Sequence, residues 1–387
     1  VRAAATVVVG AGVVGASVAW HLASRGARDV LVLDAAPGPG GGSTAAATGG
    51  FRAQFASAIN VRLSLLARTK LLRFRDEIGA DPGYVPCGYL WIAEDDPTLE
   101  ALQRARAVQK AAGLHESVTV GPDDVVRLQP AVTRRGIVGG AYCPSDGFIV
   151  PRAIQDGYID AARRLGVRFA WGSTVTGFNL DASSRIVAVH TSRESFACDA
   201  VINAAGAFAG QVAALAGVEL PVTPLKRQVA STIPSRAIPS EAPMTIYCRD
   251  GFHFRERDGR VLLLWPAPPT LGDAFDTHVE PSWLAEVASK ADARVPALRG
   301  IPFDPSHSWA GLYEMSPDRH AIVGGAEAVP NFFLVNGSSG HGVMHAPALG
   351  QLVAELVLDG KTESLDIAPL SPGRFTSGRA LPVSDVL

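Results

Sequence analysis

Gly10, Gly12 and Gly15 stand at the spacing that brings a backbone close to a dinucleotide. In this pattern Gly10 permits the tight turn after a strand, Gly12 leaves room for a pyrophosphate, and Gly15 lets the next helix lie close on that strand. Asp34 lies 19 residues past Gly15, where a carboxylate reaches an adenosine ribose. These groups act only if the elements around them hold position. Thr6–Val9 is a β-branched run suited to a buried parallel strand, Ala16–Ser24 reads as a helix, and Asp29–Asp34 reads as a second buried strand. The helix start, at Val13 and Val14, offers free N–H groups and about half a positive charge to phosphates. The order strand, turn, helix, strand, acid predicts dinucleotide binding. By itself it suits NAD and FAD equally, and Asp34 disfavours a 2′-phosphate by charge.

Three later segments bear on that choice. Pro37–Thr44 is Gly-rich and runs into Ser43–Phe55, which reads either as an ordinary linker or as a loop whose hydroxyls and glycines touch phosphate or a ring edge. Ala200–Gly206 is an apolar strand ending in small residues, as a strand passing close to a ligand, or a tight turn, requires. Asn331–Val335 reads as a strand feeding Asn336–Gly342 and then an apolar helix over Val343–Leu358. That is a second helix N-terminus behind a Gly-rich loop, hence a second anion-receptive site. Two such sites suit a flavin dinucleotide, one for pyrophosphate and one for negative charge on a reduced ring.

Composition narrows the field further. The 387 residues favour two domains over one, with 47% apolar and 19% charged residues against a usual ~25%. A formal net charge of −2, without basic stripe or acidic tail, offers nothing to nucleic acid or anionic lipid. Four scattered cysteines, Cys87, Cys143, Cys198 and Cys248, predict neither a disulfide framework nor a zinc site, and point to the cytoplasm. No metal-ligating motif is present. The apolar stretch from Arg2 to Ala23 is broken by Gly10, Gly12, Gly15 and His21, so it is read as part of a soluble domain without a membrane span.

Taken together, Val7–Gly15 with Asp34, Gly42–Phe55, Val201–Gly206, Trp309–Gly325 and Leu334–Gly350 resemble the FAD-dependent D-amino-acid-oxidase superfamily. The resemblance is strongest to its branch of sarcosine oxidases, dimethylglycine and proline dehydrogenases and glycine oxidase. It implies an α/β fold: a discontinuous, Rossmann-like doubly wound FAD domain over 1–85, 145–222 and 305–387. A substrate domain with a large, mostly antiparallel sheet would take 86–144 and 223–304. Strand-like runs at Met244–Cys248, Gly251–Arg255 and Arg260–Trp265 agree with that sheet.

The resemblance also implies roles. FAD would contact Gly10, Gly12, Val13, Val14, Gly15 and Asp34, then Gly42, Ser43, Thr44, Thr48, Gly49 and Gly50. Val175, Ala204, Ala205, Gly206 and Gly311 would follow, with Gly337, Ser339, Gly340, His341, Gly342, Val343 and Met344 at the C-terminal helix. Relatives attach FAD through a His or a Cys whose positions match Ala46 and Gly311 here, so noncovalent FAD is expected. The implied chemistry is hydride transfer from the carbon beside an amine to flavin N5, giving an imine. Arg52 matches a carboxylate-binding Arg, whereas the matching Lys is replaced by Met344, which shifts attention to Lys226, Arg227 and Tyr313. His253 falls near the position of a Lys that promotes reaction with oxygen, so O2 and another carrier both remain open as acceptor. His341 is expected beside the flavin or as a helix cap, and His345 in the core. The expected partner is a small amine or amino acid, with homo- or hetero-oligomers open. Two alternatives stand beside this reading: a flavoprotein subunit or assembly factor without independent activity, and an NAD-dependent dehydrogenase.

Overall fold

Continuous runs of Val, Leu and Ile become strands buried on both faces, and this accounts for the nucleotide-binding part. In the computed structural model, which describes residues 2–268 and 272–383, every residue of Thr6–Val9 and Val30–Leu33 is buried. They sit in a six-stranded sheet of order Ile322–Ala326, Val329–Asn336, Ala200–Asn203, Thr6–Val9, Val30–Leu33, Arg168–Ala170. Its strands are parallel except for Ile322–Ala326, the antiparallel edge. Helices Val13–Ser24 and Gly342–Asp359 pack together on one face. Their approach is close, since a Cβ at Gly350 would overlap the Ser17 hydroxyl. The other face is covered by a four-stranded sheet and by the helix Ala209–Ala214.

The second part is an eight-stranded sheet of order Trp309–Met315, Thr223–Ser231, Arg260–Leu264, His253–Arg257, Met244–Tyr247, Tyr89–Ala93, Gly139–Cys143, Val118–Val120. All its pairs are antiparallel except Met244–Tyr247 with Tyr89–Ala93. The α/β architecture with a large, mostly antiparallel sheet is therefore present. Trp309–Met315 falls in the 305–387 segment of the sequence division, yet hydrogen bonding makes it the edge of this large sheet.

Side-chain alternation decides what the sheet presents. Leu90, Ile92, Phe254 and Leu263 form a core with Trp283 and Val287 of the helix Pro281–Arg294. Their neighbours point the other way. One cross-strand row joins Trp91, Ile246, His253, Leu264, Val229 and Trp309. Arg255, Arg227, Tyr313 and Tyr89 share its parity, so this face carries the polar groups.

Candidate active site

The nucleotide cradle is built from backbone. Gly10 has φ +102°, and a Cβ there would overlap the Ala204 carbonyl. A Cβ at Gly15 would overlap the Gly10 carbonyl, so the turn is closed below. Above Gly12 the nearest atom to such a Cβ is Thr44 Oγ1 at 3.5 Å, and Val13 N donates to that oxygen at 3.1 Å. The Asp34 carboxylate accepts from Ala11 N at 2.7 Å and Ala36 N at 2.8 Å, tying the Gly-rich turn to the end of the second strand. Ser173 N donates to Asp34 O at 2.8 Å, two residues before Val175 opens its strand. Ala204, Ala205 and Gly206 leave the strand Ala200–Asn203 against Gly10. A backbone cradle, a helix start at Val13–Val14 and an acid at the ribose position fit FAD. The helix runs Val13–Ser24, three residues longer at its start than the sequence reading.

The second Gly-rich loop closes on the same region. Gly337, Ser339 and Gly340 all have positive φ, and a Cβ at Gly340 would overlap the Tyr313 ring. The loop is held from below by Glu314, whose Oε1 accepts from Ser338 N at 3.3 Å and whose carbonyl accepts from Ser339 N at 2.9 Å. Burial pushes the Glu314 carboxyl up to about 7 against those hydrogen bonds. Gly342, Val343 and Met344 then form the first turn of the long helix, with Met344 Sδ accepting from Arg52 N at 3.4 Å. On the N-terminal side Gly42 caps the one-turn helix Ser43–Ala46, and Ser43 Oγ donates to Leu312 O at 2.7 Å. Thr48 O accepts from Arg255 Nη1 at 3.0 Å, and a Cβ at Gly50 would overlap the Tyr89 hydroxyl. Gly49 has φ +79° and packs against the Ile149 carbonyl. A Cβ at Gly311 would lie 2.6 Å from Ala46 Cβ, so the two positions singled out for covalent attachment face each other and hold no nucleophile.

Between cradle and sheet lies a group of buried cations and neutral imidazoles. Arg52 donates to Gln54 O, approaches His341 Nε2 at 3.1 Å and lies over the Phe55 ring at 3.8 Å. Burial lowers its pKa to about 10, so it stays charged at neutral pH. No carboxylate pairs with it among the described residues. Asp146, the nearest acid acting on it, is turned to Ala53 N and Gln54 Nε2, and burial raises its pKa to about 6. Burial lowers His253 to about 4, with Arg227 and Arg52 acting in the same direction. Its Nδ1 lies 2.7 Å from Gly251 O; the carbonyl only accepts, so Nδ1 carries the hydrogen and Nε2 a lone pair. His341 is held well below its ordinary pKa by burial and by Arg52. The Tyr313 hydroxyl is pushed up by burial, with Arg227 and Arg52 opposing, and Arg227 lies 5.8 Å from its ring.

Lys226 is not brought to this group. It lies on the opposite face from Arg227, where Nζ meets Asp276 Oδ2 at 2.8 Å and Glu280 Oε1 at 2.6 Å. Adjacent strand residues face opposite ways, so only one of the two basic residues reaches the polar face. His345 is buried and pairs with Ser64 Oγ at 2.8 Å, within the core as expected. Tyr89, Trp91, Arg255 and Asp146 were missed by sequence reasoning. Phe252–Phe254 in the core with His253 and Arg255 between and beyond them is an alternation that marks Arg255 as site-facing. Among the described residues no cluster of His, Cys, Asp or Glu could hold a metal, and no helix is long and apolar enough to cross a membrane.

A Gly-rich dinucleotide cradle joined to an amphipathic sheet that presents buried cations defines a flavin-dependent oxidoreductase architecture. The chain belongs to the FAD dependent oxidoreductase family, whose model matches residues 5–356. It is 29% identical to FAD-dependent oxidoreductase domain-containing protein 1 of Xenopus laevis, over 97% of this chain and 83% of that one. It is 28% identical to the mitochondrial dimethylglycine dehydrogenase of Rattus norvegicus, over 96% of this chain but 45% of that one. The crystal structure of L-proline dehydrogenase from P. horikoshii superposes with a TM-score of 0.90 at 27% identity, covering 99% of this chain and 100% of that one. FAD is thus the cofactor that the cradle serves.

Proposed function

We propose that the chain oxidises a C–N bond of a small amine bearing a carboxylate, such as a secondary, N-methyl or cyclic amino acid. The observation that carries this reading is Arg52: a buried guanidinium, charged at neutral pH, without a carboxylate partner among the described residues. A cation desolvated in that way is stabilised when a ligand carboxylate fills the missing place. Arg52 would take the substrate carboxylate, steadied by His341 Nε2 and the Phe55 ring. Burial and the nearby guanidinium charge disfavour another cation, so the substrate amine is bound neutral. His253 Nε2, with its lone pair fixed by the Nδ1 hydrogen bond, accepts from the amine N–H. The Tyr313 ring and Gly340 close one side and keep water from the reacting carbon. Bound FAD supplies the acceptor for the electron pair that leaves with the hydrogen beside nitrogen, and water hydrolyses the resulting imine. FAD is held noncovalently, because Ala46 and Gly311 offer no nucleophile.

Product analysis tests the reading. Purified protein is incubated with sarcosine, N,N-dimethylglycine, proline, glycine and D-alanine, and carbonyl products are quantified. At least one should be turned over, and Arg52→Gln should raise its KM about 100-fold at unchanged FAD content. An unchanged KM in Arg52→Gln would remove Arg52 from the substrate and the proposal with it.

A further inference from the structure

Three other arginines, one buried and two half-buried, are matched by acids. Arg374 is bidentate to Asp318 at 2.7 and 2.9 Å, Arg294 meets Asp250 at 2.8 Å, and Arg260 meets Asp304 at 2.9 Å. Arg255 lacks an acid, but it donates to Thr48 O at 3.0 Å and Glu256 O at 2.9 Å and lies on the Phe148 ring at 3.3 Å. It is a strut for the loop. Arg227 is different. Its only hydrogen bonds among the described residues are long ones from Nη1, at 3.4 Å to Lys226 O and 3.5 Å to Ala267 O. No carboxylate approaches within ion-pair distance among those residues, although burial already disfavours its charge.

Arg227 also stands on the face that carries the site. It pairs in register with Gly311, next to Tyr313 on the same strand face. Arg227 lies 5.8 Å from the Tyr313 ring, that ring packs on Gly340, and the next residue, His341, stands 3.1 Å from Arg52, so Tyr313 and His341 lie between the two guanidiniums, both of which act on His253 and Tyr313. The neighbouring imidazoles His253 and His341 are neutral and Asp146 is turned to Ala53 and Gln54, so the charges of Arg52 and Arg227 are both unmatched there. A monocarboxylate would neutralise one of them.

We propose that the substrate is dianionic: a secondary amine with an acid on each arm, one taken by Arg52 and the other by Arg227, with nitrogen between them beside His253. This rests on the reading of Arg52 as the carboxylate anchor. It adds that Arg227 sets the choice of the second arm, which makes N-carboxyalkyl amino acids the favoured substrate class over N-methyl ones.

Binding of thioether analogues to the oxidised holoprotein tests this without turnover, because sulfur replaces the reacting nitrogen. Methylthioacetate carries one acid; thiodiacetate, 3-(carboxymethylthio)propanoate and 4-(carboxymethylthio)butanoate carry two at increasing reach. Affinities are measured by calorimetry and by the change in the flavin absorption band. At least one diacid should bind tenfold or more tighter than methylthioacetate. Arg227→Gln should remove that advantage and leave methylthioacetate affinity within about twofold, at unchanged FAD content and melting temperature. Equal affinities for mono- and diacids, or an advantage that survives Arg227→Gln, overturn the dianion proposal while Arg52 dependence of methylthioacetate binding keeps the carboxylate anchor. If no analogue binds, or binding is indifferent to Arg52→Gln, both proposals fall.

Discussion

Arg52 Nη2 stands 3.1 Å from Nε2 of His341, joining the N-terminal loop to the start of the C-terminal helix. A guanidinium only donates, so the imidazole accepts there and its hydrogen sits on Nδ1. The contact aims Arg52 rather than neutralising it. His341→Ala should therefore raise substrate KM about tenfold with FAD content intact, and His341→Gln, whose amide oxygen also accepts, should restore most of it. Steady-state kinetics with the flavin-to-protein absorbance ratio check both. Burial holds the imidazole neutral, so the KM of the unmutated protein should not change between pH 6 and 8 through this residue.

Gly10 carries the cradle. Its φ of +102° and the Ala204 carbonyl beneath it leave no place for a Cβ. Gly10→Ala should cost about 3 kcal/mol or more and yield protein without flavin or in aggregated form. Gly38→Ala, where an added Cβ meets nothing within 4 Å, should purify with normal flavin content. Absorbance at the flavin band and thermal melts separate the two variants.

Glu314 gives a pH signature. Burial raises its folded pKa to about 7 above an ordinary value near ~4.3. Between those values the folded chain holds a proton that the unfolded chain has released. Its stabilising contribution is thus fully present below about pH 4.3 and is lost as pH rises through about 7. Glu314→Gln keeps the neutral form at every pH. The variant should melt about 2 °C or more above the unmutated protein at pH 8.5, with the gap closing by pH 4.5. The buried histidines His21 and His253, lowered by burial to about 3 and about 4, work in the opposite sense below pH 6.5 in both proteins and cancel in the difference.

Flavin attachment is readable directly. With Ala46 and Gly311 facing each other, acid precipitation should release all the flavin into the supernatant as intact FAD. Flavin fluorescence remaining in the washed pellet would contradict noncovalent binding.

The nucleotide cradle was legible because its parts are close in sequence. Gly10 to Asp34 is one strand–helix–strand unit, and each glycine answers a local backbone demand. The second loop at Gly337–Gly342 was legible for the same reason. The substrate side was legible only in part, because its face is assembled from Tyr89, Arg227, His253, Arg255 and Tyr313, on four strands far apart in sequence. Pairing between such strands fixes which residues share a face, and a one-residue slip would reverse it. This is why Lys226 and Arg227 were equal candidates on sequence and are separated by the sheet. Asp146 lies in a loop whose turn to Ala53 and Gln54 has no local signal.

The most direct test of the central claim is anaerobic absorbance of the purified holoprotein during titration with carboxylate-bearing amines, covering N-methyl, cyclic, D- and N-carboxyalkyl amino acids. The flavin bands should bleach with at least one of them, and Arg52→Gln should need about 100-fold more of the same compound. Bands that persist with every member of the panel, or that bleach in Arg52→Gln at the same concentration, would contradict it.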